Sequence, residues 1–446
     1  MRKLYLLSFL VLYAMHAFCD DKDKILTVKQ MHEDIDFYYT NLQQIHPNCF
    51  LVLNQTEFQK CIDTIKNAIY KPMSKKDFYI IVSYLNKYTD LHTRIAPSKK
   101  MLKERNFTYN LPRFICCESK YKNENEHQFL IDLQGEKYRL IKVNDIDIEI
   151  IIDYYLSRRN WVEINEYYNC WDILNTYITE HFIYGDIVLT YINENKEKRT
   201  SVLSPTKKDK TSKGYRVYNL EYDSVTSKAI FELNTFMPKK LKQRIGFTNM
   251  IDKIFDTLKQ KNINTLYIDL TCNSGGLIAF EEHLLKYLIL DNKKITLWDL
   301  TLKQSPQRRK QRGNYPQIKD GDFYQKQQIL MYNNLKNRFL GDVFVIQSRY
   351  SFSAASTLAS QLQKYRKSKI IGEPCQIKAV YTDPILIKLK HSKLQFSCST
   401  GFIKNVGIQK EKGVIPDIAC KIYNPFDKIE LKDIEKFENT KEDKSY

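Results

Sequence analysis

Glycine and proline are scarce, at 13 and 12 of 446 residues, about half their ordinary usage. That scarcity excludes a Pro/Gly-rich linker protein and an array of glycine-rich short repeats, and no internal repeat period is present. None of the 10 cysteines forms a C-x-x-C pair, which removes the usual signature of a structural zinc site, so no metal and no cofactor is expected. Beyond the amino terminus the chain also lacks an apolar run of about 18 residues, the length a membrane span needs. The nearest approach, Leu277 to Leu290, is broken by Glu281, Glu282, His283 and Lys286, and no transmembrane span is expected.

What is present is an excess of positive charge. Lys and Arg number 70 against 52 Asp and Glu, a net charge of +18, so polyanion binding is the first class to test. The charge is thinly spread. Its densest run, Arg308-Arg309-Lys310-Gln311-Arg312, has no zinc-finger spacing or aromatic platform beside it, and is expected to be a solvated loop rather than a specific nucleic-acid reader. Hydrophobic residues at 43% and aromatics at 13% are ample for globular cores, and the length accommodates about three domains.

The amino terminus predicts export. Arg2 and Lys3 precede an apolar run from Leu4 to Ala14, and Ala17-Phe18-Cys19 sets small residues where a signal peptidase requires them, ahead of Asp20. A secreted or periplasmic protein is expected, with disulfides and at least one free thiol among the cysteines left after cleavage.

Periodicity then divides the chain. Met31, Ile35, Tyr38, Leu42 and Ile45 make one helical stripe, Phe58, Ile62, Ile65 and Ile69 another, and Ser74 with Asp77 reads as the start of a third helix. His46, before Pro47, is expected as a helix-end residue. From 112 to 205, Phe129–Leu133, Tyr138–Val143 and Ile187–Ile192 predict strands between turns, with one or two helices. After a polar hinge, strands are expected at Ala229–Leu233, Thr265–Leu270, Val343–Ser348 and Lys369–Gly372, with helices between them, an α/β core with a mainly parallel sheet. A hairpin at 385–398 and a frayed charged tail from about Asp427 follow.

Chemistry is expected where those strands end. Asp269-Leu-Thr-Cys-Asn-Ser-Gly-Gly276 places a glycine pair between a buried strand and a helix, where backbone amides are free to hold an oxyanion. In Ser351-Phe-Ser-Ala-Ala-Ser356 a hydroxyl meets a helix's positive end, which favours negative charge developing on it. Each is also an ordinary turn or cap when taken alone. Cys272 lies at a strand end with no adjacent base, and is expected as packing or as a disulfide partner.

In order along the chain, Asp90-Leu-His92-Thr93, Asp269 to Gly276, Ser351 to Ser356, Ile371-Gly-Glu-Pro374 and Lys412-Gly-Val-Ile-Pro-Asp-Ile418 resemble the signatures of the tail-specific (C-terminal processing) and tricorn-core serine peptidases. The resemblance spans about residues 30 to 420. It implies a crotonase/ClpP-like α/β catalytic domain preceded by a PDZ-like β-rich domain and a helical module. The resulting division is 1–19 signal peptide, 20–110 helical module, 111–205 PDZ-like domain, 206–227 hinge, 228–424 catalytic domain and 425–446 charged tail. It further implies Ser353 as nucleophile, with Ser351 and Ser356 as rivals, and an oxyanion hole from Ala354 with Gly275 or Gly276. For the base the family divides. His92, oriented by Glu411, matches the tricorn-type branch, whereas Lys378 stands where tail-specific members carry a lysine. Histidine is rare here, 8 of 446 against 70 Lys and Arg, and a Ser-His pair needs no unusual pKa, so His92 is favoured over Lys378. Thr271-Cys272 replaces an Arg-Asn pair usual in the family, Ser356 stands where an acidic residue is common, and residues 112–130 hold no glycine-rich carboxylate-binding loop. A serine endopeptidase acting on a polypeptide is therefore expected, with a catalytically inactive binding module on the same fold as the alternative.

Overall fold

A computed structural model describes residues 25–98, 101–102, 107–112, 115–116, 129–133, 135–158, 170–207, 213, 216–237, 241–290, 294–313, 317–330, 335, 337–375, 381–404, 413–422 and 425–438. The signal peptide expected at 1–19, Lys378 and Glu411 lie outside the described residues. No helix among those described is long and apolar enough to cross a membrane.

Helix α1 (Val28–Ile45) starts at a capping box in which Thr27 and Gln30 satisfy each other's backbone amides, and it buries the predicted stripe of Met31, Ile35, Tyr38, Leu42 and Ile45. Helix α2 (Gln55–Ala68) is capped in the same way by Asn54 and Glu57. Ser74 caps α3 (Lys75–Val82), and a 3-10 turn, Ser83–Tyr88, delivers the chain to the loop holding Asp90 and His92. The short strand β1 (Arg94–Ala96) follows.

An antiparallel sheet comes next, with β2 (Phe129–Leu133), β3 (Glu136–Val143), β4 (Ile187–Ile192) and β5 (Lys198–Leu203) in the order β5-β4-β3-β2 and Ile115–Cys116 beyond β2. Helices α4 (Ile148–Leu156) and α5 (Cys170–Glu180) lie between β3 and β4 in the chain. Cys170 is disulfide-bonded, while Cys49, Cys61, Cys272, Cys375, Cys398 and Cys420 are free thiols.

The last region is organised by a six-stranded sheet. Its strands are β6 (Tyr218–Asp223), β7 (Lys228–Leu233), β8 (Thr265–Asp269), β11 (Asp342–Gln347), β12 (Lys369–Gly372) and β17 (Ile418–Ala419), in that order across the sheet. Only β6 runs antiparallel; β7, β8, β11, β12 and β17 are parallel neighbours. Their near-continuous apolar sequences follow from burial on both faces. Helix α6 (Leu241–Gln260) links β7 to β8, α7 (Ile278–Leu288) follows β8, and α9 (Ala354–Gln361) follows β11. Within 206–227, read from composition as a hinge, β6 is thus a full edge strand of this sheet.

The polar excursion between α7 and β11 is more ordered than its composition predicts. Strands β9 (Ile295–Lys303) and β10 (Phe323–Leu330) pair antiparallel over nearly their whole length, and the basic run is not a solvated loop. It is helix α8 (Pro306–Arg312), started by Ser305 as cap with Pro306 in the first turn. Arg308 is buried, donating to Thr400 Oγ1 at 3.2 Å and to Asp383 Oδ2 at 2.8 Å. Amphipathic burial of one arginine, invisible in a count of charges, accounts for the difference. The tail likewise forms a helix, Leu431–Glu438, with Ile434 fully buried.

The chain then turns back on itself. Short β13 (Tyr381–Thr382), β14 (Ile385–Lys388), β15 (Gln395–Cys398) and β16 (Gly401–Lys404) complete two further sheets. Strand β16 extends the β9–β10 pair, and β15 pairs both with β14 and with β1 from the amino-terminal region. The core of α1 to α5 accordingly includes Leu389, Leu394, Phe396 and Cys398, with the Tyr38 and Phe396 ring centroids 4.7 Å apart.

One buried ion pair ties the linker to the main sheet. Lys213 Nζ donates to Asp269 Oδ2 at 2.5 Å, to Thr271 Oγ1 at 2.7 Å and to the Asp427 carbonyl at 3.0 Å. The side chains of Lys213 and Asp269 are almost wholly removed from solvent. Removing one member strands a buried charge, so Lys213→Met is expected to destabilise by about 3–5 kcal/mol, and adding Asp269→Asn to recover part of the loss. Denaturant unfolding of the single and double variants checks this.

Candidate active site

The parallel strands β8 and β11 are neighbours in register, Asp269 beside Ile346, so the turns at their carboxyl ends are adjacent by construction. Ser353 ends the turn after β11, immediately ahead of α9, with φ 53° and ψ −122°. A non-glycine residue in that region costs about 1–3 kcal/mol, which the surrounding contacts must supply. They do so through Asn273. Its carbonyl accepts from Phe352 N at 3.0 Å, its Oδ1 accepts from Gly275 N at 2.8 Å, and its Nδ2 donates to the Leu233 carbonyl at 3.0 Å. Ser351 donates to the Leu270 carbonyl at 2.8 Å, and Ser348 to the Thr271 carbonyl at 2.5 Å. One turn is stitched to the other along its length.

These bonds separate the candidate hydroxyls. Ser351 is spent on Leu270, and Ser356 donates to the Ser353 carbonyl at 2.8 Å. Ser353 Oγ instead lies 3.1 Å from His92 Nε2. The glycine pair is separated as well. The Gly275 amide is held by Asn273, whereas the amides of Gly276 and Ala354 carry no acceptor among the described residues. Gly275 (φ 87°) packs so close to the nucleophile turn that a Cβ there would lie 2.7 Å from Ser353 Cβ and 2.8 Å from Ala354 N. Cys272 is a free thiol whose Sγ donates to Asn234 Oδ1 at 2.9 Å, and burial pushes its pKa up, so it serves packing rather than a disulfide.

His92 arrives from the other end of the chain. Its amide donates to Asp90 Oδ1 at 2.8 Å, its carbonyl accepts from Ser397 Oγ at 2.6 Å, and its ring stacks on Phe352 with centroids 4.4 Å apart. Burial holds the imidazole below its ordinary pKa, against the opposing pull of Asp90 and of a backbone hydrogen bond to Tyr381. Nδ1 is 4.0 Å from Asp90 Oδ1, too far for a hydrogen bond, and the ring also has a backbone hydrogen bond to Tyr381. Nε2 faces the Ser353 hydroxyl at 3.1 Å.

Asp90 is buried beside these groups. Burial alone would raise its pKa, but the hydrogen bond and charge of His46, followed by His92 and Thr93, hold it below the ordinary range. The histidine that caps α1 is therefore also part of this cluster, which sequence periodicity could not reveal; its only local signal is the following Pro47. Among the described residues no group of His, Cys, Asp and Glu is arranged to hold a metal.

A second buried carboxyl lies one helical turn behind the nucleophile. Thr357 Oγ1 is 2.9 Å from Glu281 Oε2 and 3.3 Å from the Ser353 carbonyl, joining α7 to α9. Thr357 Oγ1 donates to Glu281 Oε2, and burial raises the Glu281 pKa well above its ordinary value against the lowering effect of that hydrogen bond.

Residues 229–420 match peptidase family S41. No curated protein matches the chain by sequence. In three dimensions the chain is similar to the crystal structure of mature CPAF, with 11% identity over 88% of this chain and 92% of that one and a TM-score of 0.56. It is also similar to mature CPAF complexed with lactacystin, at 10% identity, 87% and 93% coverage and a TM-score of 0.57. At such identities the likeness concerns the fold. Family match and site together define a serine-type peptidase on a mixed α/β fold. The family likeness lies in residues 229–420, which carry both turns of the site, and it is to peptidase family S41.

Two outcomes are expected. Gly275→Ala drives a Cβ into the Ser353 turn, so kcat should fall at least about tenfold with KM little changed, measured by steady-state peptide hydrolysis. Glu281 binds its proton more tightly folded than unfolded, so its contribution to stability is complete below pH about 4.5 and is lost as pH rises. Glu281→Gln should therefore gain stability relative to the native protein between pH about 4.5 and 8, read from melting temperatures across that range.

Proposed function

We propose that the protein is a secreted serine endopeptidase that cleaves peptide bonds through an acyl-enzyme. The observation that carries this is the 3.1 Å approach of Ser353 Oγ to His92 Nε2 across 261 residues of sequence. In this reading His92 takes the Ser353 proton as Oγ attacks the scissile carbonyl, and returns it to the departing amine. Water then repeats the sequence to release the acyl group. The amides of Ala354 and Gly276 hold the oxyanion, two donors from two strand ends. Glu411, matching the family's orienting acid, is the third member of the triad, and Lys378 has no part in proton transfer. The six-stranded sheet with α6, α7 and α9 is read as a crotonase-type catalytic domain over 228–424, the antiparallel sheet with α4 and α5 as a PDZ-like unit over 111–205, and α1 to α3 as the helical module over 20–110.

Ser353→Ala is expected to abolish hydrolysis and labelling by a fluorophosphonate while moving the melting temperature little, because the hydroxyl caps nothing. His92→Ala should lose several orders of magnitude in kcat, Glu411→Gln less, and Lys378→Ala little. Since burial lowers the His92 pKa, activity should persist on acidification to below pH about 6.5 before it falls. A dead Lys378→Ala beside an active His92→Ala would replace this triad with a Ser353–Lys378 dyad.

A further inference from the structure

We propose that His46 is a positioning residue for the catalytic base, acting on His92 through Asp90 and Tyr381; this rests on the Ser353–His92 reading above. His46 is buried at the carboxyl end of α1, and its Nδ1 accepts from Asn48 N at 3.0 Å. A nitrogen that accepts carries no hydrogen, so Nε2 bears it and donates to Asp90 Oδ2 at 2.7 Å. The other Asp90 oxygen accepts from the His92 amide at 2.8 Å and from Ser399 Oγ at 2.9 Å. A carboxylate with both oxygens engaged cannot swivel, so the backbone of His92 is held on one side by Asp90 and on the other by Ser397 Oγ at 2.6 Å.

The same ring reaches His92 by a second route. It packs on the Tyr381 ring with centroids 4.9 Å apart, and the backbone of Tyr381 is hydrogen-bonded to the His92 ring. Lys303 Nζ donates to the His46 carbonyl at 3.1 Å and to the Gln43 carbonyl at 2.8 Å, so the end of α1 is itself fastened to β9. Among the described residues the polar and ring partners of His46 outside α1 are Asp90, Asn48, Lys303 and Tyr381, and Ser353 is not one of them. Its effect must therefore appear in the catalytic step and not in substrate binding.

The test compares His46→Ala, His46→Gln and His92→Ala in the full chain, measuring kcat and KM on an internally quenched peptide and the fluorophosphonate labelling rate of Ser353. His46→Ala should lower kcat and the labelling rate about 100-fold with KM within about twofold, the loss expected when a base is displaced by about 1 Å. His46→Gln, whose amide can donate to Asp90 as Nε2 does, should restore at least about tenfold of that loss. A folded His46→Ala with kcat within about threefold of native overturns the proposal, as does a His46→Gln no faster than His46→Ala. Should His46→Ala fail to fold, His46→Gln decides alone, near-native kcat supporting the role and a 100-fold deficit ending it. A fully active His92→Ala would instead remove the Ser353–His92 reading itself, whatever the His46 variants do.

Discussion

Three residues of antiparallel ladder, Arg94–Ala96 against Gln395–Ser397, hold the rest of the site in place. That pairing carries His92 across to the Ser353 side of the molecule, although the two are 261 residues apart in sequence. The ladder is short, and its hydrogen bonds alone would not resist thermal motion. Its strength comes from the apolar residues on the hairpin, which complete the core begun by α1 and α2. Folding the amino-terminal helices and bringing His92 to Ser353 are thus one event, and the orientational entropy of bringing the two groups together is paid during folding.

The nucleophile turn has a different support. Its unfavourable backbone at Ser353 persists because the turn after β8 is bonded to it at several points, with Asn273 reaching three backbone groups and Gly275 allowing an approach that no larger residue could make. Beneath it, Glu281 and Thr357 join the two helices that leave the turns. A rigid arrangement of this kind costs the protein stability, in a strained residue and a buried carboxyl.

Buried polar groups recur at every junction between regions. Lys213 with Asp269 fastens the linker beside the glycine turn, Arg308 with Asp383 fastens α8, and His46 with Asp90 fastens α1 to the loop of the base. Such groups contribute little net stability against an apolar alternative, but each has only one geometry in which its donors and acceptors are satisfied. They fix how the regions dock, whereas the apolar clusters supply the drive to dock.

The regular elements around the site were legible in the sequence because their information is local. Helical stripes in α1 and α2, the apolar runs of β7, β8 and β11, the glycine pair and the serine-alanine helix start all declare themselves within a few residues. The place of His92 and Ser353 in ordered motifs was legible for the same reason. Strand β10 was not, since its polar, largely exposed sequence resembles a loop until its partner β9 is known. Nor was the burial of Arg308, Lys213 or His46, because a charged or titratable side chain is buried only when a partner distant in sequence can satisfy it. That Ser353 rather than Ser351 or Ser356 lies beside His92, and that Asn273 takes the Gly275 amide, are likewise visible only in the tertiary structure. Identical hydroxyls and amides on adjacent residues differ in nothing until the folded chain assigns each its hydrogen-bond partner.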